Sequence, residues 1–171
     1  LPGTMAMLFV SGATAQLLAK VPARTVIGIG LGLVGVGMML FTLADATSSW
    51  WIVLPGELVA LVGTGLFNPA VTNVALSSVP MEQSGVGAGV HDTFRQAGIA
   101  VGVAALGALI PAHGIIGGGG AQRYVDGLHH ALLVGAALAA AGALAAAFLI
   151  PRAFATTPPV TDDEPGMPAA L

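Results

Sequence analysis

Four polar side chains interrupt the apolar run "SGVGAGVHDTFRQAGIAVGVAALG", residues 84–107: His91, Asp92, Arg95 and Gln96. Asp92 and Arg95 stand three residues apart, the spacing at which opposite charges pair along a helix. At membrane depth such groups are costly and mark substrate paths, proton relays or gates. At the headgroup level their role is structural instead: Arg95 snorkels to the polar boundary and the Asp92 pair holds the helix end. Glu57, two turns beyond Trp50, is a second carboxyl within an apolar stretch. A carboxyl exchanging protons there would suit a proton-coupled carrier, and an interfacial glutamate reaching the headgroups past Pro55 is the alternative. Asn68 and Asn73 can donate to a ligand or act as interhelical glue.

Other chemistries find little support. His113, His129 and His130 lack metal-site spacing, so no metal is expected. With no cysteine, disulfides and thiolate ligands are excluded. Ser84 and the pair Ser77-Ser78 have no base-and-orienter set, and the chain is not expected to be an enzyme. "GLGLVG", residues 30–35, matches the dinucleotide fingerprint formally. It lacks the preceding strand and the acidic residue ~20 positions on, and with Gly28 and Gly37 it reads as a close-packed membrane helix. No cofactor is expected, and no basic patch suggests nucleic acid.

The elements that must position these groups follow from composition. Only 8% of residues are charged and 56% are hydrophobic, with a mean hydropathy of +0.90. An ordinary soluble domain carries about 25% charged residues, so this inventory cannot build a water-facing surface. Apolar stretches long enough to cross a bilayer recur between turn signals. The expected fold is all-α: a polytopic membrane protein with five spans near residues 2–19, 25–43, 50–79, 84–111 and 127–150. Residues 1–151 form the transmembrane region, and the proline-rich, acidic segment 152–171 reads as a disordered cytoplasmic tail.

Five spans place the loops alternately on two sides. The loop "KVPAR", the turn "VPMEQS" and the tail share one side, with Lys20, Arg24 and Arg152; the opposite side holds Arg123. By the positive-inside rule the first side is cytoplasmic, and the expected location is the cell membrane, multi-pass. The third and fourth spans are long: about thirty residues extend ~45 Å against a ~30 Å hydrocarbon core. Pro55 and Pro69 are expected to kink the third. The chain opens at Leu1 with residues that already read as helix, so further helices are expected before it. The competing reading, a signal peptide cleaved near Ala13-Thr14-Ala15, lacks a basic leading segment.

On the fourth span Gly87, His91, Arg95, Gly98 and Gly102 form one helical stripe, and Gly85, Gly89, Asp92, Gln96 and Gly107 a neighbouring one. Val86, Val90, Phe94, Ala97 and Val101 occupy the remaining face. Small residues at four-residue spacing let helices approach closely in lipid. The polar groups are therefore expected on a buried helix–helix surface, with Gly63, Gly65, Gly85, Gly89, Gly98 and Gly102 as packing positions.

Residues 63–107, "GTGLFNPAVTNVALSSVPMEQSGVGAGVHDTFRQAGIAVGVAALG", resemble the C-terminal half of major facilitator superfamily exporters of the fourteen-helix drug:proton antiporter group. The resemblance is carried by Gly63-x-Gly65, Pro69, Val79-Pro80, Gly85 and Gly89, Arg95-Gln96 and Gly98-x-x-x-Gly102, with "QLLAKVPAR" resembling a cytoplasmic loop of that half. Members of the group commonly have Asn at the position of Asp92 and an apolar residue at that of Glu57.

The resemblance implies the last five helices of a six-helix C-terminal domain. Partners would be the lipid bilayer, the missing N-terminal helices of the same carrier, protons and a small amphipathic molecule or drug. Asp92, Arg95, His91, Gln96, Glu57 and Asn68 are the candidate transport or gating residues. The rival expectation is a non-transport membrane anchor or subunit built as a glycine-packed bundle.

Overall fold

The structure is a computed structural model that describes residues 2–18, 20–44, 48–110 and 120–150. Among these residues the chain is all-α. The helices are α1 (Pro2–Leu18), α2 (Ala23–Phe41), α3 (Trp50–Ser77), α4 (Ser84–Gly107) and α5 (Gly120–Leu149), with one 3₁₀ turn, Met81–Gln83, leading into α4. Three stretches, Ala23–Phe41, Trp50–Ser77 and Arg123–Leu149, are long and apolar enough to cross a membrane. α1 is shorter, and α4 carries the polar cluster in its first half.

The largest boundary difference from the sequence reading is at the start of the fifth span. The sequence places the start of the fifth span near residue 127, but α5 starts at Gly120, so Arg123, Tyr124 and Asp126 belong to its first turns. Arg, Tyr and Asp are all tolerated in a helix interior, and no proline interrupts them. The tail 152–171 and His113 lie outside the described residues.

α2 is the centre of the assembly, with α3 packed on one side and α5 on another; α1 lies along α3, and α4 touches α3 and α5 sparsely. Glycine explains this arrangement. A Cβ at Gly30 would stand 2.9 Å from the carbonyl oxygen of Gly63, and one at Gly63 would stand 2.5 Å from that of Gly30. The same reciprocity joins Gly37 and Gly56, at 2.8 and 3.1 Å. The two pairs are seven residues apart on each helix, in antiparallel register, and a seven-residue step returns to nearly the same helix face, within ~20°. Backbones can meet this closely only where no side chain intervenes.

The other side of α2 repeats the device with more room. Gly28 faces the carbonyl oxygen of Ala143 and Gly35 that of Ala136, at 3.7 and 3.4 Å from the position of an added Cβ. The "GLGLVG" segment is thus a packing element with two glycine faces. A buried cluster of Val26, Ile27, Ala70 and Ala146 lies at the end of the bundle where α2 begins.

Pro55 and Pro69 both lie inside α3. A proline at position 69 cannot donate to the carbonyl of Gly65. That orphaned oxygen accepts from Thr14 Oγ1 of α1 at 3.2 Å, while the same hydroxyl also reaches Val10 O at 2.7 Å. Thr14 is fully buried. The hydroxyl's one proton is shared between the two carbonyls, so the neighbouring helix partly replaces the donor that the helix breaker removes.

Candidate functional groove

Val79-Pro80 and the 3₁₀ turn fold α4 back antiparallel to α3. On α3, Asn68, Thr72 and Leu76 recur every four residues; on α4, Ala88, His91, Asp92 and Arg95 follow the three-and-four spacing of one helix face. These seven residues line a groove of about 530 Å³ between the two helices. Sequence periodicity therefore placed the α4 residues on one side, and the fold adds Asn68 opposite them.

One hydrogen bond, between Thr72 and His91, crosses the groove, and the others stay within each helix. Asn68 Nδ2 donates to Thr64 O at 3.3 Å, and Thr72 Oγ1 donates to Asn68 O at 3.0 Å. Thr72 Oγ1 also stands 3.3 Å from His91 Nε2. A hydroxyl has one proton, so with that proton on Asn68 O the imidazole donates from Nε2. Arg95 donates to Asp92 Oδ1 from Nε at 3.0 Å and from Nη2 at 2.6 Å. The groove thus holds a carboxylate–guanidinium pair, an imidazole, a primary amide and a hydroxyl within an otherwise apolar bundle. It can recognise polar groups of a solute, or break and remake its ion pair as the helices move.

The expected burial of this cluster is not what the structure shows. No residue of α4 is buried. The Arg95 and Asp92 side chains are 47% and 57% exposed. Gly85, Gly89, Gly98 and Gly102 would each meet nothing within 4 Å if given a Cβ. The physical reason is that α4 lies at the side of the bundle, touching its neighbours along only part of its length. Gly63 and Gly65 are buried, as packing positions should be.

The remaining candidates separate from the groove. Gln96 is exposed and does not line it. Glu57 is half-buried, about 16 Å along α3 from Asn68, so the two do not share a site. Asn73 is exposed. His129 Nε2 meets Ala44 O at 2.9 Å and ties the start of α5 to the end of α2, while His130 Nδ1 meets Asp126 O at 2.7 Å. No group of three or more potential metal ligands occurs among the described residues. Thr72 is the polar groove residue that sequence reading missed, along with the apolar Leu76 and Ala88; its four-residue step from Asn68 was the available signal.

Comparison with known proteins gives partial matches to transport proteins. The chain is 30% identical over 112 residues to the multidrug resistance protein Stp of Mycobacterium tuberculosis, covering 66% of this chain and 21% of that protein. It is 35% identical over 111 residues to the "Probable actinorhodin transporter" of Streptomyces coelicolor, covering 64% of this chain and 18% of the relative. No family model matches the chain, and no solved structure matches it. The matched region spans about a fifth of the length of these curated relatives. The chain is a helical membrane protein similar, over about two thirds of its length, to one part of proteins named for multidrug resistance and actinorhodin transport.

Proposed function

We propose that this chain is part of a secondary exporter of the major facilitator type, moving drug- or antibiotic-like small molecules outward in exchange for protons. The observation that carries this reading is the groove in which Asn68 and Thr72 of α3 meet His91, Asp92 and Arg95 of α4. A structural bundle has no need to gather charge and amide groups along one cleft, since each is costly in lipid. The names of the relatives support the substrate class. Close glycine contacts make α2, α3 and α5 a unit that moves as one body, while the loosely held α4 carries the gate.

The test is efflux of a fluorescent amphipathic cation from cells lacking their own pumps, expressing the polypeptide that carries this segment. Asp92→Asn and Arg95→Ala are each expected to slow efflux about tenfold, corresponding to ~1.4 kcal/mol at the limiting conformational step. Full activity in both variants would remove the groove from the mechanism. Efflux that persists when a protonophore collapses the gradient would remove proton coupling. Stable co-purification with one partner and no flux would favour a membrane anchor or subunit.

A further inference from the structure

A second groove, between α2 and α5, has a different character. It is an open furrow of about 630 Å³, lined by Arg24, Thr25, Gly28 and Gly32 of α2 and by Ala140 and Ala143 of α5. Its walls are small because Gly28 and Gly32 face a run of alanines, and it continues past Gly32 and Ala140 toward Gly35, Val36 and Met39. From Arg24 to Gly32 it extends about 12 Å along α2, comparable with one leaflet of a ~30 Å hydrocarbon core.

One end of this apolar furrow carries a cation and a hydroxyl, in the first turn of α2. No hydrogen bond or ion pair engages the Arg24 side chain among the described residues. The N-cap residue of α2 is Pro22, which provides no side-chain acceptor for the first-turn N–H groups. Lys20 is exposed just before it. The C-terminal turns of α5 lie nearby and give Arg24 a favourable field without a directional partner. Positive charge at one end and a narrow apolar channel leading away match an anionic amphiphile, whose charge and chain need both parts at once. Free phosphate would use only the first part, and a neutral lipid only the second.

We propose that the α2–α5 groove binds an anionic phospholipid, with its phosphate at Arg24 and Thr25 and one acyl chain lying over Gly28 and Gly32 against Ala140 and Ala143. Basic pockets between transmembrane helices favour such headgroups. The site stands independently of the transport reading. It would hold a lipid as a fixed part of the bundle between α2 and α5.

Native mass spectrometry of the detergent-purified protein tests this, with dioleoyl phosphatidylglycerol and dioleoyl phosphatidylcholine as competing probes. One phosphatidylglycerol is expected to survive preferentially. Arg24→Gln should reduce its retention at least fivefold. Gly32→Leu should do the same by filling the channel, at a position where an added Cβ meets nothing within 4 Å. Circular dichroism should show unchanged helicity in every variant. Equal retention of the two lipids would overturn the proposal. So would loss with Arg24→Gln but full retention with Gly32→Leu, which would leave only a headgroup cation. Displacement of the lipid by millimolar inorganic phosphate would overturn it too, because the chain would then contribute nothing.

Discussion

At the scale of single residues, the most informative contact is one that neither partner announces alone. Pro69 removes a backbone donor from the middle of α3, and Thr14 of α1, fifty-one residues earlier by the separation of donor and acceptor, covers the carbonyl left over on Gly65. An uncovered buried acceptor costs about 1–3 kcal/mol. Thr14→Val is therefore expected to lower the unfolding free energy by ~1 kcal/mol, at the lower end of that range. In a Pro69→Ala background, where the helix supplies its own donor, the loss should largely vanish. A double-mutant cycle by denaturant unfolding in micelles measures this coupling, and additive effects would refute it. The Asp92–Arg95 pair was legible from its three-residue spacing, and its geometry agrees. What spacing could not supply was the opposite wall, because Asn68 and Thr72 approach His91 only after α3 and α4 fold back on each other.

Glycine acts at the scale of whole helices, and its meaning depends on what the helix faces. Gly30, Gly37, Gly56 and Gly63 hold α2 and α3 at backbone contact. Adding even a methyl group at Gly63 forces two backbones apart, and such overpacking costs about 1–3 kcal/mol. Gly98 faces open space within α4, where alanine is the better helix former by ~0.5–1 kcal/mol. Gly63→Ala should therefore lower the melting temperature of the purified chain and Gly98→Ala should leave it unchanged or raise it, as followed by circular dichroism. A drop of similar size in both would mean that α4 packs through its glycine stripe. The two stripes are indistinguishable as sequence, since both offer small residues at helical spacing. Only the position of each helix in the bundle separates them.

Across the molecule, burial is uneven. α2 is enclosed between α3 and α5, whereas α4 exposes Val86, Phe94, Val101 and Val103 by about two thirds or more of each side chain's residue surface, from 68% to 76%. Apolar exposure on this scale is ordinary only against lipid or another protein surface. Alternating access of the two-domain kind requires one bundle to rock against another, and the matched segment amounts to about a fifth of the transport-named relatives. The 171-residue chain alone, reconstituted in proteoliposomes, is accordingly expected to show no gradient-driven uptake of a fluorescent amphipathic cation. Uptake above that of empty liposomes would contradict the need for a second bundle.

Sequence by itself determined the solvent and the secondary structure. With 8% charged residues, backbone groups in lipid must be satisfied within each segment, and helices do that locally. The same local rule put His91, Asp92 and Arg95 on neighbouring stripes of α4, because helical periodicity is a property of one segment. Tertiary structure decided which glycines touch, which polar groups share a groove and where Arg24 meets an apolar channel. Those outcomes depend on helix order and antiparallel register, which arise from contacts between segments distant in the chain. In lipid, where apolar side chains gain little by avoiding the solvent, close packing selects among such arrangements.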